Sequence, residues 1–236
     1  MEAKKMIPGR NPVFEYLQTD AKPEALYLSD SAQGKVVDSI LQAAKKKSVK
    51  IIKCDNKTLD EMFAGNHQGV ILTAKQTSAG IDLKAVAAKN GIIVLLDQIT
   101  DPHNTGAIIR SAEALGADGV VMQKVNSSGI NETVIKTSAG ATAYIDVEIV
   151  SNIAQFIDRA KDAGFWVIGT SGEAQKNVRE LKDTKPAVIV IGAEGSGMRR
   201  LTQEKCDFLA KIPLKGKVSS LNASVAAGIT LYEFLC

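Results

Sequence analysis

Polar side chains follow a strongly apolar segment at residues 92–97, where a loop leads into a predicted helix over 105–115. Ligands of open α/β sheets bind beyond the carboxyl ends of the strands, so this loop is a candidate site. Asn104 is explained equally well as the N-cap of the helix and as a ligand contact. Arg110 lies one or two turns into the helix among apolar neighbours, and a buried guanidinium needs an anionic or hydrogen-bonding partner. Arg110 is therefore a candidate for a functional role.

A second loop follows another β-branched segment and reads IGAEGSGMRR over 191–200. Its glycines have the spacing GxxGxG, which differs from the GxGxxG fingerprint of dinucleotide sites, and the chain lacks the Walker pattern GxxxxGK[ST]. A nicotinamide enzyme and nucleotide triphosphate chemistry are therefore poorly supported. Glycines let the backbone approach a ligand closely, but they also make tight turns. Glu194 is the residue that a plain turn would not require.

A third loop, over 212–222, again connects a predicted strand to a predicted helix. Ser219 and Ser220 precede the terminal helix, where a serine can serve simply as the N-cap. That helix carries small residues that allow another backbone to come close, which internal packing explains as well as a subunit interface does. The small residues are Ala223, Ala226, Ala227 and Gly228.

Strands and helices alternate along the chain in two blocks. The first block, residues 1–75, is predicted to be a small α/β domain whose first helix is capped by Asn11 and begins at Pro12. Polar and small residues over 76–91 predict an interdomain connection. The second block, residues 92–236, includes a predicted strand near 143–147. Its alternation predicts a mostly parallel, doubly wound α/β sheet.

The composition excludes several classes of protein. The formal net charge is only +3, which argues against a histone-like binder. Residues 1–75 hold 12 basic and 9 acidic side chains and residues 76–236 hold 17 of each, so the whole excess lies in the first block. Lysines over 45–57 could attract a polyanion, although a solvated helix end followed by an exposed strand explains them too. Three scattered cysteines and two histidines support neither a disulfide scaffold nor a metal site. Without a targeting segment or a long apolar stretch, the chain is expected to be soluble and cytoplasmic.

Three segments together carry a family resemblance: DPHNTGAIIRSAEALGADGV, VIGAEGSGMRRL and IPLKGKVSSLNASVAAGITLYE. They closely resemble the signature motifs of the SpoU (TrmH-type) RNA 2'-O-ribose methyltransferases of the SPOUT superfamily, and the resemblance covers residues 92–236 in order and spacing. The first block is similar to the substrate-binding domain, related to ribosomal protein L-thirty-e, that many members carry. Its start, GRNPV at 9–13, fits the subgroup that modifies a guanosine in 23S ribosomal RNA.

The resemblance implies a homodimer whose catalytic domain ends in a trefoil knot, an exception to the general absence of knots. It also implies S-adenosylmethionine as the cofactor, no metal, and methyl transfer to a ribose 2'-hydroxyl. It places Arg110 at the nucleophile; because an arginine normally stays protonated, we expect Arg110 to stabilise the developing alkoxide. The residues implied to assist it are Asn104, Glu194, Ser220 and Asn222. Those implied to contact the cofactor are Gly169, Thr170, Gly192, Ile212, Leu214, Leu221 and Ala223.

The resemblance also makes RNA the expected partner of the lysine cluster and of the arginine pair at 199–200. Aromatic residues make up only 5% of the chain, so recognition is expected to rely on RNA shape and backbone. Two alternatives stay open: a different target within the family, such as transfer RNA or another ribosomal site, and a non-catalytic RNA-binding or ribosome-assembly protein. The residues expected to bind RNA are Arg10, Asn11, Lys46, Lys50, Arg199 and Arg200.

Overall fold

Two separate β-sheets organise the chain. The structure, a computed structural model, describes residues 4–18, 22–63, 65–75 and 80–236. The chain divides into two units, Met1–Ser78 and Ala79–Cys236, each with its own sheet.

The first unit contains four strands and three helices within its described residues. They are β1 (Lys4–Pro8), α1 (Arg10–Gln18), β2 (Pro23–Ser29), α2 (Lys35–Lys46), β3 (Lys50–Cys54), α3 (Asn56–Met62) and β4 (Val70–Lys75). The strand order is β1-β4-β2-β3. Strand β4 pairs antiparallel with β1 and β2, and β2 pairs parallel with β3. Consequently the carboxyl ends of β1, β2 and β3 all lie on the side of the sheet where β4 begins.

The sequence pattern did not predict β1, because its two lysines and its proline are unlike a buried strand. Proline is tolerated at strand ends and edges, and β1 is an edge strand that ends at Pro8. The helix that follows begins at Arg10, so Asn11 lies within its first turn and is not the N-cap that was predicted. Arg10, the first residue of α1, therefore lies just after β1 ends and on the side of the sheet where β4 begins.

The second unit is built on a seven-stranded sheet with the order β7-β6-β5-β10-β8-β11-β9. Every pairing between its strands is parallel, which confirms the predicted α/β class and the mostly parallel sheet. The strands are β5 (Ile92–Asp97), β6 (Gly119–Gln123), β7 (Val147–Val150), β8 (Trp166–Thr170), β9 (Lys176–Asn177), β10 (Ala187–Gly192) and β11 (Phe208–Lys211). The α-helices are α4 (Leu83–Ala88), α5 (Pro102–Leu115), α6 (Glu132–Thr137), α7 (Ile153–Asp162), α8 (Arg200–Glu204) and α9 (Ala223–Leu235).

Helices cover both faces of this sheet, because successive residues of a strand point to opposite faces. In β5, Ile92, Val94 and Leu96 belong to a core shared with α5 and α9. The alternate residues Ile93 and Leu95 belong to a second core, shared with α4 and α7. All six residues of β5 are buried, as the apolar run of this segment predicts for a central parallel strand.

Two predicted boundaries differ from the structure. The strand expected near 143–147 begins only at Val147, because a 3-10 turn occupies Ala141–Ala143. The predicted connection over 76–91 includes residues that pack into the second unit. Ile81 and Val86 are buried in the core beside β5, and the backbone N–H of Ile81 donates to Glu148 Oε2 at 2.8 Å. Residues 76–79 of that connection lie outside the described residues.

The packing of Ile81 leads to a test of this boundary. Ile81→Ala should lower the free energy of unfolding of the second unit by about 2–5 kcal/mol, the usual cost of truncating a buried isoleucine. Trp166, the one tryptophan of the chain, lies in β8 and makes fluorescence-monitored denaturation a reporter of the second unit. Lys84→Ala, on the exposed side of α4, is the matched control. An unchanged transition for Ile81→Ala would mean that the segment is a plain linker.

Candidate active site

Four loops lie side by side at the carboxyl ends of neighbouring strands in the second sheet. Strands β5, β10, β8 and β11 are neighbours in parallel register, so their carboxyl ends lie side by side. The loops that follow β5, β10 and β11 are the three polar loops singled out in the sequence. The structure therefore places the three motifs together, at the edge where parallel sheets bind ligands.

One asparagine joins all three motifs through its side chain. Asn222 Nδ2 donates to Asn104 Oδ1 at 2.9 Å and to Glu194 Oε2 at 3.2 Å. The side-chain oxygen of Asn222, Oδ1, accepts from the backbone N–H groups of Ser224 and Val225 and so caps α9. The same residue thus begins the terminal helix and holds Asn104 beside Glu194.

The cluster leaves one donor and one acceptor available to a ligand. Within the described parts of the chain, Asn104 Nδ2 and Glu194 Oε1 have no hydrogen-bond partner. Asn104 is half-buried and Glu194 is exposed, so a ligand can reach both from solvent. Asn104 is not the N-cap of α5, because Asp101 has that role and accepts from His103 N at 3.0 Å. An amide and a carboxylate placed in this way can bind a hydroxyl group.

Arg110 is not part of this cluster within one chain. It was expected to be buried, but its side chain is exposed, and no contact joins it to Glu194 or Asn222. It lies six positions after Asn104, which places it about 9 Å farther along the helix axis and about 120° away around the helix. Within a single chain, Glu194 and Asn222 therefore do not hold the Arg110 guanidinium by hydrogen bonds.

Ser220 also lies outside the hydrogen-bonded cluster. Residues 213–220 are exposed, and the cap of α9 is Asn222 instead of either serine. Ser220 is two residues away from Asn222 in the chain, which leaves it at the rim of the site.

The glycine-rich loop folds back on its own strand. A Cβ on Gly192 would lie 2.4 Å from Gly197 C and Met198 N, so the close approach requires glycine. Ala193 and Gly197 exchange backbone hydrogen bonds of 3.0 and 2.9 Å, and Gly195 and Gly197 have positive φ angles of 82° and 68°. The glycines thus have an internal role: they form the tight turn that carries Glu194.

A buried ion pair fixes the far end of this loop. Asp97, at the end of β5, is fully buried. It accepts from Arg199 N at 2.8 Å and from Arg199 Nε at 2.7 Å, while Arg199 Nη2 donates to Gln123 Oε1 at 2.6 Å. Arg199 was expected to bind RNA, but its guanidinium is paired with this buried carboxylate. Asp97 was missed as a functional residue, although a charged residue that ends a buried strand was a usable signal.

The residues predicted to contact the cofactor surround the same edge. Gly169 and Thr170 end β8, Gly192 ends β10, and Ile212 follows β11. Thr170 Oγ1 donates to Val190 O at 3.0 Å, which ties β8 to β10. The described chain over 214–221 forms no backbone hydrogen bonds, so its N–H and C=O groups can bind a ligand. Exposed Leu214 and half-buried Leu221 add apolar surface, and this combination fits an adenine ring and a methionine chain.

The wall behind Gly169 is apolar and uncharged. A Cβ on Gly169 would lie 2.6 Å from Met198 Cε and 2.8 Å from Cys206 Sγ. Burial raises the pKa of Cys206 to about 12, so this thiol is protonated at neutral pH. A neutral thiol is a weak nucleophile, so Cys206 is not expected to act as one.

The residues predicted to bind RNA in the first unit do not form one patch. Arg10 and Asn11 follow the carboxyl end of β1, whereas Lys46 ends α2 and Lys50 begins β3 at the opposite edge of the sheet. Both lysines are exposed, and so is Asn11. In the second unit, Arg200 is exposed and pairs with Glu204 at 2.7 Å. A surface pair of this kind leaves the arginine accessible to a phosphate.

Comparisons with known proteins show the family of this chain. The family described as "SpoU rRNA Methylase family" matches residues 91–232, and the family described as "RNA 2'-O ribose methyltransferase substrate binding" matches residues 6–79. A protein of Bacillus subtilis named as a TrmH family tRNA/rRNA methyltransferase is 42% identical over 96% of this chain and 93% of its own length. The chain belongs to the SpoU rRNA methylase family.

Solved structures of methyltransferases share the fold. The SpoU methyltransferase AviRb from Streptomyces viridochromogenes, in complex with the cofactor AdoMet, has a TM-score of 0.79 at 24% identity and covers 98% of this chain and 89% of that chain. An AdoMet-bound rRNA methyltransferase from Sinorhizobium meliloti has a TM-score of 0.77 at 24% identity, with 98% and 86% covered. As a SpoU family member, the chain is an S-adenosylmethionine-dependent RNA 2'-O-methyltransferase.

The buried ion pair in this SpoU site can be tested directly. Asp97→Asn should lower the free energy of unfolding of the second unit by about 2–3 kcal/mol, because it leaves Arg199 without its carboxylate while that side chain is only partly solvated. Glu204→Gln, which breaks the exposed pair with Arg200, should cost less than about 1 kcal/mol. Denaturation followed by Trp166 fluorescence compares the two. Equal effects would contradict a structural role for Asp97.

Proposed function

We propose that this protein methylates the 2'-hydroxyl of a guanosine in 23S ribosomal RNA, in the cytoplasm, and that residues 1–75 bind the RNA while residues 92–236 carry out the transfer. The observation that carries the reaction is the cluster of Asn104, Asn222 and Glu194 at the carboxyl edge of the second sheet. The GRNPV segment at 9–13 supports a guanosine target. The name rRNA methyltransferase, which the Sinorhizobium neighbour carries, supports ribosomal RNA.

The residues of the cluster act on the ribose. Asn104 Nδ2 donates to the 2'-oxygen, and Glu194 Oε1 accepts the hydrogen bond of the 2'-hydroxyl. Bound S-adenosylmethionine supplies a sulfonium-activated methyl group. As the new carbon–oxygen bond forms, the bond between the methyl carbon and the sulfonium sulfur would break and S-adenosylhomocysteine would leave, while the hydroxyl proton passes to the Glu194 carboxylate and from there to solvent. Asn222 positions both groups, so most of its contribution is orientation.

We further propose that two copies assemble through α9. This helix is mostly apolar, and Val225, Ile229 and Tyr232 form an exposed stripe on one face, at the spacing i, i+4, i+7. A second copy of the chain would cover this stripe.

None of the helices among the described residues combines the length and the apolar content that a bilayer crossing needs.

The dimer also gives Arg110 a place in the reaction. Arg110 is exposed on α5, and α5 packs directly against α9, so pairing through α9 brings Arg110 close to the second chain. A guanidinium next to the other chain's cluster would stabilise the negative charge that develops on the 2'-oxygen. We propose that Arg110 serves the active site of the second chain.

The trefoil knot is a further part of the proposal. Residues from about 165 onward would form it. The sheet order supports it, because β10 lies between β5 and β8 while the chain returns to place β11 on the other side of β8. The chain must then come back across the same edge to bring Asn222 to Glu194.

The substrate is tested by mapping 2'-O-methylated nucleosides in total RNA with and without the gene. We expect the loss of one methylated guanosine in 23S RNA. Its restoration by the wild-type gene, but not by a Glu194→Gln allele, ties the loss to this site. Loss of a methyl group from transfer RNA would instead favour a tRNA methyltransferase, the other activity in the name of the Bacillus relative. If no methyl group were lost from any RNA, the proposed activity would be wrong.

The role of Arg110 is tested by complementation between chains. Arg110→Ala and Glu194→Gln chains should each be nearly inactive alone. Purified mixed dimers, selected by two different affinity tags, should recover about half of the wild-type activity, because one of their two sites has both native residues. Adding Ile229→Lys to one chain should abolish both pairing and recovery. Inactive mixed dimers would show that Arg110 does not act across the interface.

A further inference from the structure

The first unit has a cleft at the edge where three of its strands end. Because β1, β2 and β3 run in one direction and β4 runs against them, the loops after those three strands meet the turn before β4. Each of these four segments contributes to a cleft of about 380 Å³. Its lining residues are Arg10, Ser31, Ala32, Asn56, Gln68 and Gly69.

A buried histidine shapes one wall of the cleft. His67 Nδ1 accepts from Gly69 N at 3.0 Å, so its other ring nitrogen carries the proton that Asp60 Oδ1 accepts, also at 3.0 Å. The turn is tight: Gln68 and Gly69 have positive φ angles of 52° and 78°. A Cβ on Gly69 would lie 3.2 Å from the Cβ of Ala32, so this wall approaches the loop after β2 closely. The turn is thus held in place without any contribution from a ligand.

Arg10 spans the cleft between two backbone segments. Its Nε donates to Gln68 O at 3.1 Å, and its Nη1 donates to Gln33 O at 3.1 Å. Both acceptors are neutral carbonyl groups, and no carboxylate pairs with Arg10 in the part of the chain that the structure describes. The guanidinium is therefore fixed in position but keeps its positive charge.

The opposite wall presents an amide and a hydroxyl group. Asn56, in the first turn of α3, is exposed, and its Nδ2 lies 3.4 Å from Ser31 Oγ, which makes only a long hydrogen bond. Ser31 Oγ is held by Ser29 Oγ at 2.9 Å. The lining contains no acidic and no large apolar side chain. Such a site favours a polar, anionic ligand with hydrogen-bonding edges over an apolar peptide anchor.

We propose that this cleft binds one unstacked nucleotide of the substrate RNA. Amide side chains recognise the edges of bases that have left the stack, and a fixed guanidinium suits the adjoining phosphate. Asn56 and Ser31 contact the base, and Arg10 contacts the phosphate. The volume is in the range of small-ligand sites. This proposal rests on the proposed function, in which the first unit binds RNA, and the cleft lies within the matched substrate-binding segment 6–79.

The test combines crosslinking with kinetics. Full-length protein is irradiated with deproteinised total RNA from a strain that lacks the gene, and crosslinked peptides are identified by mass spectrometry. We expect single-nucleotide adducts on the peptides that contain Ser31, Asn56 or Gln68. In methylation assays on the same RNA, Asn56→Ala and Ser31→Ala should each raise KM for RNA about 10-fold and leave kcat within about 2-fold, as expected when a contact is lost equally from ground and transition states.

Gln42→Ala is the matched control, because it also removes an exposed amide but lies outside the cleft. Gln42 is in α2, about 10 Å along the helix from the end that lies near the cleft. Its KM should equal that of the wild type, and thermal melting should show all three variants folded. Wild-type kinetics in both cleft variants, with active enzyme and no adducts on cleft peptides, would overturn the cleft proposal and leave the proposed function intact. Absence of both methylation and RNA crosslinks in the wild type would overturn both proposals.

Discussion

The ion pair between Asp97 and Arg199 holds together the part of the second unit on which the chemistry depends. A carboxylate at the end of a fully buried strand is costly unless it is paired, and Arg199 pairs with it through both backbone and side chain. This pair fixes one end of the glycine-rich loop, and Gly192 fixes the other end by close backbone packing. Glu194 is held between them, so its carboxylate reaches Asn222 without depending on a flexible loop.

Asn222 links helix formation to the geometry of the site. Its Oδ1 caps α9, while its Nδ2 holds Asn104 and Glu194 together. The same side chain thus contributes both to the start of the terminal helix and to the geometry of the site. The helix that Asn222 begins exposes an apolar stripe, which connects the same element to the proposed dimer.

Much of the architecture was predictable from local patterns. The apolar run of β5 and the alternation of strands and helices indicated a parallel sheet, because residues buried on both faces cannot be polar. Short or atypical elements were not predictable. Strand β1 contains two lysines and a proline, and helix α4 has only six residues, so both depend on packing partners that are distant in sequence. The N-caps expected for α5 and α9 were each misplaced by two or three residues, because several polar residues precede each helix and only the backbone turn selects one.

The sequence by itself determined which residues could take part in catalysis and RNA binding. It showed the three polar loops, the family motifs that they carry, and the small charge excess in the first 75 residues. Only the tertiary structure decided which of them meet. It joined Asn104, Glu194 and Asn222, committed Arg199 to a buried carboxylate, and left Arg110 exposed on another side of its helix. It also separated Arg10 from Lys46 and Lys50, to opposite edges of one sheet. The reason is that residue type and spacing specify the chemistry of a side chain, whereas its partner depends on strand order and helix rotation, which are set by long-range packing.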